Sequence, residues 1–124
     1  MNCLLIKCVY EPAGVEDGFR VLVDRDWPQG VSKGYADLDE WMRDIAPTPA
    51  LRTWWDHDPA RMVEFAHRYE AELDANESEV RHLAAVVSAH PTVTLLYGAH
   101  DPVVNHARIL RDYFLRRLVD DFDN

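Results

Sequence analysis

Apolar and polar positions along this chain follow two periods, one suited to strands and one to helices, and the switches between them mark out the elements. Residues 4–10 form a short apolar run of strand formers, after which Pro12, Gly14 and Gly18 punctuate a turn. Residues 19–24 read as a second strand, with Phe19, Val21 and Val23 on one face. Residues 25–34, with Trp27-Pro28 and two glycines, predict a loop of functional length. Helical spacing then takes over. Leu38, Trp41, Met42 and Ile45 stand at i, i+3, i+4 and i+7 and predict an amphipathic helix ended by Pro47. Thr48-Pro49 is a cap followed by proline and opens a short helix through Trp55. Asp58-Pro59 repeats the device for a longer helix with Met62, Phe65, Ala66, Tyr69 and Leu73 on one side. Ser78 caps another helix, with Val80, Leu83, Ala84 and Val87 inward. Residues 93–97 form the most strand-like segment of the chain, and Asp101-Pro102 opens a last helix with Val103, Ala107, Leu110, Phe114 and Leu118 inside.

The predicted order is β, β, four helices, β, α. It implies an α/β fold of Rossmann-like three-layer character, a small, mostly parallel sheet of about three strands covered by about five helices. About ten residues join the first two strands, which permits a hairpin as well as a parallel pair; the helical crossover to the third strand permits parallel pairing. The 124 residues make one domain, with 119–124 a short acidic tail.

Composition narrows the class. With 48% hydrophobic and 28% charged residues the chain is globular rather than disordered, and no apolar run approaches a membrane span. The start of the chain lacks the basic region and long apolar stretch of a signal peptide. Cys3 and Cys8 fall on opposite faces of one strand, so they do not bridge. Two thiols without a spacing motif suit a reducing cytosol and argue against zinc. The net charge of −9 speaks against nucleic acid as a partner. Residues 20–33 are locally basic, with Arg20, Arg25 and Lys33 against Asp24 and Asp26, which suits a small anionic ligand. The sequence assigns no cofactor and no oligomeric state.

Two predicted strands run out into polar loops, 24–28 and 97–101. In open α/β sheets the ligand crevice lies outside the carboxyl ends of the strands, so parallel strands here would bring these loops together. The catalytic candidates are His106, the side chain suited to proton exchange near pH 7, with Asp24 and Asp101 as acids beside it. Asp101 before proline reads equally as a helix cap, and His106 as a histidine with only a structural partner. Asn105 and His106 would stand on the first turn and a half of the last helix. The ligand-binding candidates are Arg20, Arg25, Trp27, Arg52, His57, Tyr97 and Asn105. Arg20 sits within an apolar strand and needs an acid, for which Asp24, four residues on, is the plain answer. Arg25 then remains for a carboxylate or phosphate, or for Asp26 at the surface. Trp27, Trp41, Trp54 and Trp55 cluster in sequence and serve as core or as stacking platforms, and adjacent Trp54 and Trp55 point about 100° apart on a helix. His100 and His106 with Asp101 lack any specific metal spacing, and no phosphate loop, dinucleotide fingerprint or nucleophile elbow is present.

The run Asp17-Gly18-Phe19-Arg20-Val21-Leu22-Val23-Asp24-Arg25, then Trp27-Pro28 and Gly30-Val31-Ser32-Lys33, resembles the opening of the YeaO-like proteins, part of a large bacterial family catalogued as a domain of unknown function. The likeness continues through Trp41, Asp44-Ile45-Ala46-Pro47, Leu51-Arg52, Trp55, His57, Phe65, Tyr69 and Glu72-Leu73, and closes with Leu95-Leu96-Tyr97, Ala99, Asp101 and Asn105-His106-Ala107. The family usually has an apolar residue at Asp26, arginine at Gln29, serine at Thr48 and lysine or arginine at His100. The resemblance sharpens the list of site residues and implies no particular reaction. The leading expectation is a small-molecule or anion-binding pocket at the strand ends, with hydrolysis or transfer on an anionic or nucleotide-like substrate as its possible chemistry. The alternative is a non-catalytic interaction module built on exposed tryptophans.

Overall fold

A computed structural model describes residues 3–99, 101 and 104–123, with side chains up to residue 117. The elements are β1 (Cys3–Cys8), β2 (Phe19–Leu22), α1 (Lys33–Ala36), β3 (Glu40–Trp41), α2 (Pro49–Trp55), α3 (Met62–Ala75), α4 (Glu77–Ala89), β4 (Thr92–Tyr97) and α5 (His106–Asp123). Three short 3-10 turns lie at Val15–Asp17, Arg43–Ile45 and Pro59–Arg61. The sheet has four strands in the order β1-β4-β2-β3, every neighbouring pair parallel. The hairpin option for the first two strands is thereby removed, because β4 returns between them. The sequence reading missed β3, the fourth strand.

Alternation along the strands divides the interior in two. Val21, Val93 and Leu95 face the larger cluster, which Phe65, Tyr69, Leu73, Leu83, Val87, Leu110 and Phe114 complete from α3, α4 and α5. Leu22 and Leu96 face a smaller cluster with Val9, Val31 and Ala36, covered by α1 and the loop before it. The sheet thus carries helices on both sides, three layers in all.

The expected helix across 38–45 does not form. Asp37 adopts a left-handed conformation (φ 47°) and ends α1, and Glu40–Trp41 then pairs with Val21–Leu22. In that extended segment Trp41 packs with the smaller cluster and Met42 with the larger, so neighbouring residues serve opposite faces of the sheet. Thr48 caps α2 as expected, its hydroxyl accepting from Leu51 N at 3.3 Å. Asp58 caps only a 3-10 turn before α3 begins, and α4 starts ahead of Ser78, with Asn76 at its N-terminus making no side-chain cap.

Arg20 is buried, and its partner is Asp17 rather than Asp24. Its Nη2 and Nε also donate to Ala36 O at 2.8 and 3.1 Å, while Lys7 Nζ reaches Asp17 at 3.1 Å. Burial raises the Asp17 pKa, but the Gly14 N–H, Lys7 and Arg20 outweigh it and hold the carboxyl below its usual value. Gly18, at φ 64°, lets this turn meet β4: a Cβ there would lie 2.3 Å from Thr92 O. The last helix begins at His106, several residues later than Asp101-Pro102 implied, and runs on through the acidic stretch. His100, Pro102, Val103 and the side chain of Leu118 lie outside the described residues. No described helix is long and apolar enough to cross a membrane.

Candidate functional site

The connections out of β2 and β4 make the site. From β2 the chain leaves toward α1 on one face, and from the adjacent β4 it leaves toward α5 on the other. Neighbouring parallel strands whose connections part to opposite faces open a crevice at their carboxyl ends. Asp24 spans it, for its Oδ2 accepts the Gly98 N–H at 2.8 Å and so ties the two loops together. A Cβ on Gly98 would stand 2.8 Å from that same oxygen, so glycine permits the approach.

Around this tie lies a cavity of about 220 Å³. Asp24, Arg25, Asp26, Trp27 and Pro28 line it from the β2 side, Gly98, Ala99 and His106 from the β4 side. Ala46, Pro47, Arg52, Trp55 and His57 form the facing wall, and Tyr10 closes the end beyond β1.

His106 is the most constrained group. Its Nε2 is 3.0 Å from Val23 O and 3.2 Å from Asp24 Oδ1, and its ring meets the edge of Tyr69 at 6.2 Å. A carbonyl and a carboxylate only accept, so Nε2 carries a proton, and the neutral ring leaves Nδ1 as its acceptor. Asp24 Oδ1 makes no well-aligned hydrogen bond; its contact with the imidazole is electrostatic, because the N–H is directed at Val23 O. Burial lowers the His106 pKa, Asp24 and the Val23 carbonyl oppose that, and His57 and Arg52 add to it. The ring is therefore neutral near pH 7.

The two arginines differ. Arg25 donates to the carbonyls of Ala46 (3.2 Å) and Pro47 (3.4 Å), with Asp44 at 3.6 Å, and so fixes the facing wall. Arg52 stands at the rim, 45% exposed, and reaches Asp26 at 3.0 Å. Trp27 is held edge-on against Trp41 at 5.4 Å, its Nε1 donating to Val31 O at 2.7 Å. Trp55 is buried, stacked on Phe65 at 3.9 Å, and His57 lies over it at 4.6 Å in a left-handed conformation (φ 51°). The Trp55 indole N–H has no hydrogen-bond partner among the described residues. Trp54, by contrast, turns outward beneath the guanidinium groups of Arg61 and Arg68.

Of the residues singled out in the sequence, Asp24, Arg25, Trp27, Arg52, His57 and His106 meet at this cavity. Arg20 does not, since it lies near the opposite end of β2 with Asp17. Tyr97 is buried in the larger cluster, where burial raises its hydroxyl pKa, and it does not line the cavity. Asn105 is fully buried and structural: its Oδ1 accepts from Arg108 N at 2.9 Å and its Nδ2 donates to Asp101 O at 3.0 Å. Asp101 accepts from Val104 N at 3.0 Å in a turn ahead of α5 and borders an adjoining hollow with His57, Gly98 and Ala99. Trp55, expected as core or stacking platform, is buried and lines the wall, whereas the sequence reading missed Tyr10, Ala46 and Pro47. Tyr10 was within reach of it, because a parallel β1 ends on the same side as β4. Among the described residues no three His, Cys, Asp or Glu side chains gather as a metal-ion cluster.

Over residues 3–124 the chain matches a family model described as the inactive DUF488-N3 subclade. The chain belongs to the DUF488-N3i family. It is 41% identical over 107 residues to the uncharacterized protein YeaO of Escherichia coli, covering 86% of this chain and 92% of that protein. It is 39% identical over 104 residues to the uncharacterized proteins Mb3100c of Mycobacterium bovis and Rv3073c of Mycobacterium tuberculosis, covering 82% of this chain and 85% of each. The YeaO-like pattern in the second strand and its loop thus extends along most of this DUF488-N3i chain. No solved structure matches it.

Proposed function

We propose that this chain is a receptor for a small, planar, nucleotide-like metabolite, held in the strand-end cavity without turnover. The observation that carries this reading is the meeting of Asp24, Arg25, Trp27, Arg52, His57 and His106 on one concave site. Ligand sites commonly measure about 300–1,000 Å³, so a cavity of about 220 Å³ suits a single base-sized ring rather than a dinucleotide. Tyr10, Trp27 and Trp55 supply apolar walls, Asp24 and His106 supply hydrogen-bonding atoms, and Arg52 at the rim suits an anionic group. An interaction module would call for a flat, exposed tryptophan patch; Trp27 and Trp55 are instead turned into the fold. Binding without turnover agrees with the family's description as an inactive subclade.

Thermal melting in the presence of adenosine, AMP, uridine, UMP or inorganic phosphate tests the reading. At least one nucleotide raises Tm in a concentration-dependent way, and Arg52→Ala reduces the rise. No shift with any probe, or an undiminished shift in Arg52→Ala, contradicts it. The pairing of His106 with Asp24 favours a second reading, in which Nδ1 accepts a proton from a bound substrate and the site turns it over. Chromatography of the same samples separates the two: a receptor returns the nucleotide unchanged, an enzyme returns a product.

A further inference from the structure

Arg52 is tied to Asp26, an acid that makes no other ion pair or side-chain hydrogen bond among the described residues. Its Nη1 lies 3.0 Å from Asp26 Oδ2, both residues border the cavity, and their side chains are 45% and 67% exposed. Arg25 cannot take its place at the rim, because its guanidinium is engaged by the Ala46 and Pro47 carbonyls and its side chain is only 24% exposed. Arg52 is therefore the cavity arginine able to turn toward a ligand, and the Asp26 carboxylate is already paired with it.

We propose that Asp26 is an internal stand-in for the ligand's anionic group: it holds Arg52 at the mouth of the cavity until a ligand oxyanion displaces it, and so sets how strongly the site favours anionic over neutral ligands. The inference rests on the receptor reading above and adds to it the residue that determines specificity. The chemistry follows from the pair. A guanidinium fork fits a carboxylate and a phosphate in the same bidentate manner, so one oxyanion can replace another without the arginine moving far. An exposed ion pair is weak enough to be exchanged, and salt screens it further. Asp26 also repels an arriving anion, so it acts against anionic ligands twice and against neutral ones not at all. The nearby Asp24 is unsuited to this role, because Gly98 N and His106 already hold it.

The test compares AMP, orotate and adenosine, a phosphate, a carboxylate and a neutral ring, by calorimetry on the wild type, Asp26→Asn, Arg52→Gln and the double variant. Asp26→Asn tightens AMP, orotate or both about two- to fivefold and leaves adenosine within about twofold, and the gain shrinks at high salt. The double variant binds anions no better than Arg52→Gln alone. Which of the two anions gains more distinguishes a phosphate site from a carboxylate site. If wild type binds AMP or orotate and Asp26→Asn leaves that affinity unchanged or weaker, the stand-in is overturned while the receptor reading survives. An equal gain for adenosine overturns it as well. If no probe binds any of the four proteins, both fall.

Discussion

At Nε2 of His106 one proton faces two acceptors, and this arrangement makes the residue sensitive to pH. Its pKa in the folded chain is lowered, chiefly by burial, so the unfolded chain takes up a proton more readily than the folded one. The stability tied to the neutral ring is fully present above about pH 6.5, the ordinary histidine value, and is lost as pH falls from there through the lowered folded value. In urea unfolding between pH 7.5 and 5, wild type accordingly loses stability more steeply than His106→Gln, by up to about 1.4 kcal/mol per pH unit. Parallel pH profiles for the two proteins would contradict the neutral, buried imidazole. The sequence names His106 with Asp24 or Asp101 as proton-exchange candidates, and the structure brings His106 within 3.2 Å of Asp24; the burial that lowers the imidazole pKa has no sign in the local pattern. Arg20 was legible only in part. Its need for an acid was plain, but Asp24 stands about 13 Å further along an extended strand, out of a guanidinium's reach, while Asp17 is brought back by the turn before β2.

Among the elements, those with caps and long apolar stripes could be read directly, and those made by pairing could not. Phe65, Tyr69 and Leu73 on α3 and Val80, Leu83 and Val87 on α4 stand buried at the predicted spacing. The stripe at Leu38, Trp41, Met42 and Ile45 misled because a short extended segment that packs against both faces of the sheet has no period of its own. Met42 N bonds to Leu22 O at 2.9 Å, and that pairing with β2 outweighs local helical preference. The start of α5 was misplaced for a related reason. Asp101-Pro102 looks like a helix start, yet Asn105 accepts the Arg108 N–H and orients the first turn that carries His106. Asn105→Ala should cost about 0.5–2 kcal/mol in thermal or urea melts, the usual range for a lost N-cap. A variant as stable as the wild type would show that Asn105 does not hold this end of α5.

For the molecule as a whole, strand order decides where the chemistry can be. Once β4 inserts between β1 and β2, the loops after β2 and β4 must face one another, and Tyr10 beyond β1 joins them at the same end. The loop residues were visible in the sequence. The wall at Ala46, Pro47 and Trp55 depends on the packing of α2 and the turn before it against those loops, and local pattern carries no sign of that. The receptor reading also distinguishes the tryptophans: Trp27 and Trp55 line the cavity, whereas Trp54 lies outside it under Arg61 and Arg68. Titration with the nucleotide that raises Tm, AMP or UMP, followed by the indole N–H signals in proton–nitrogen correlation spectra, tests this most directly. The account predicts progressive, saturable shifts of the Trp27 and Trp55 signals while Trp54 stays in place; movement of Trp54 alone, or no movement of any indole signal, would contradict it.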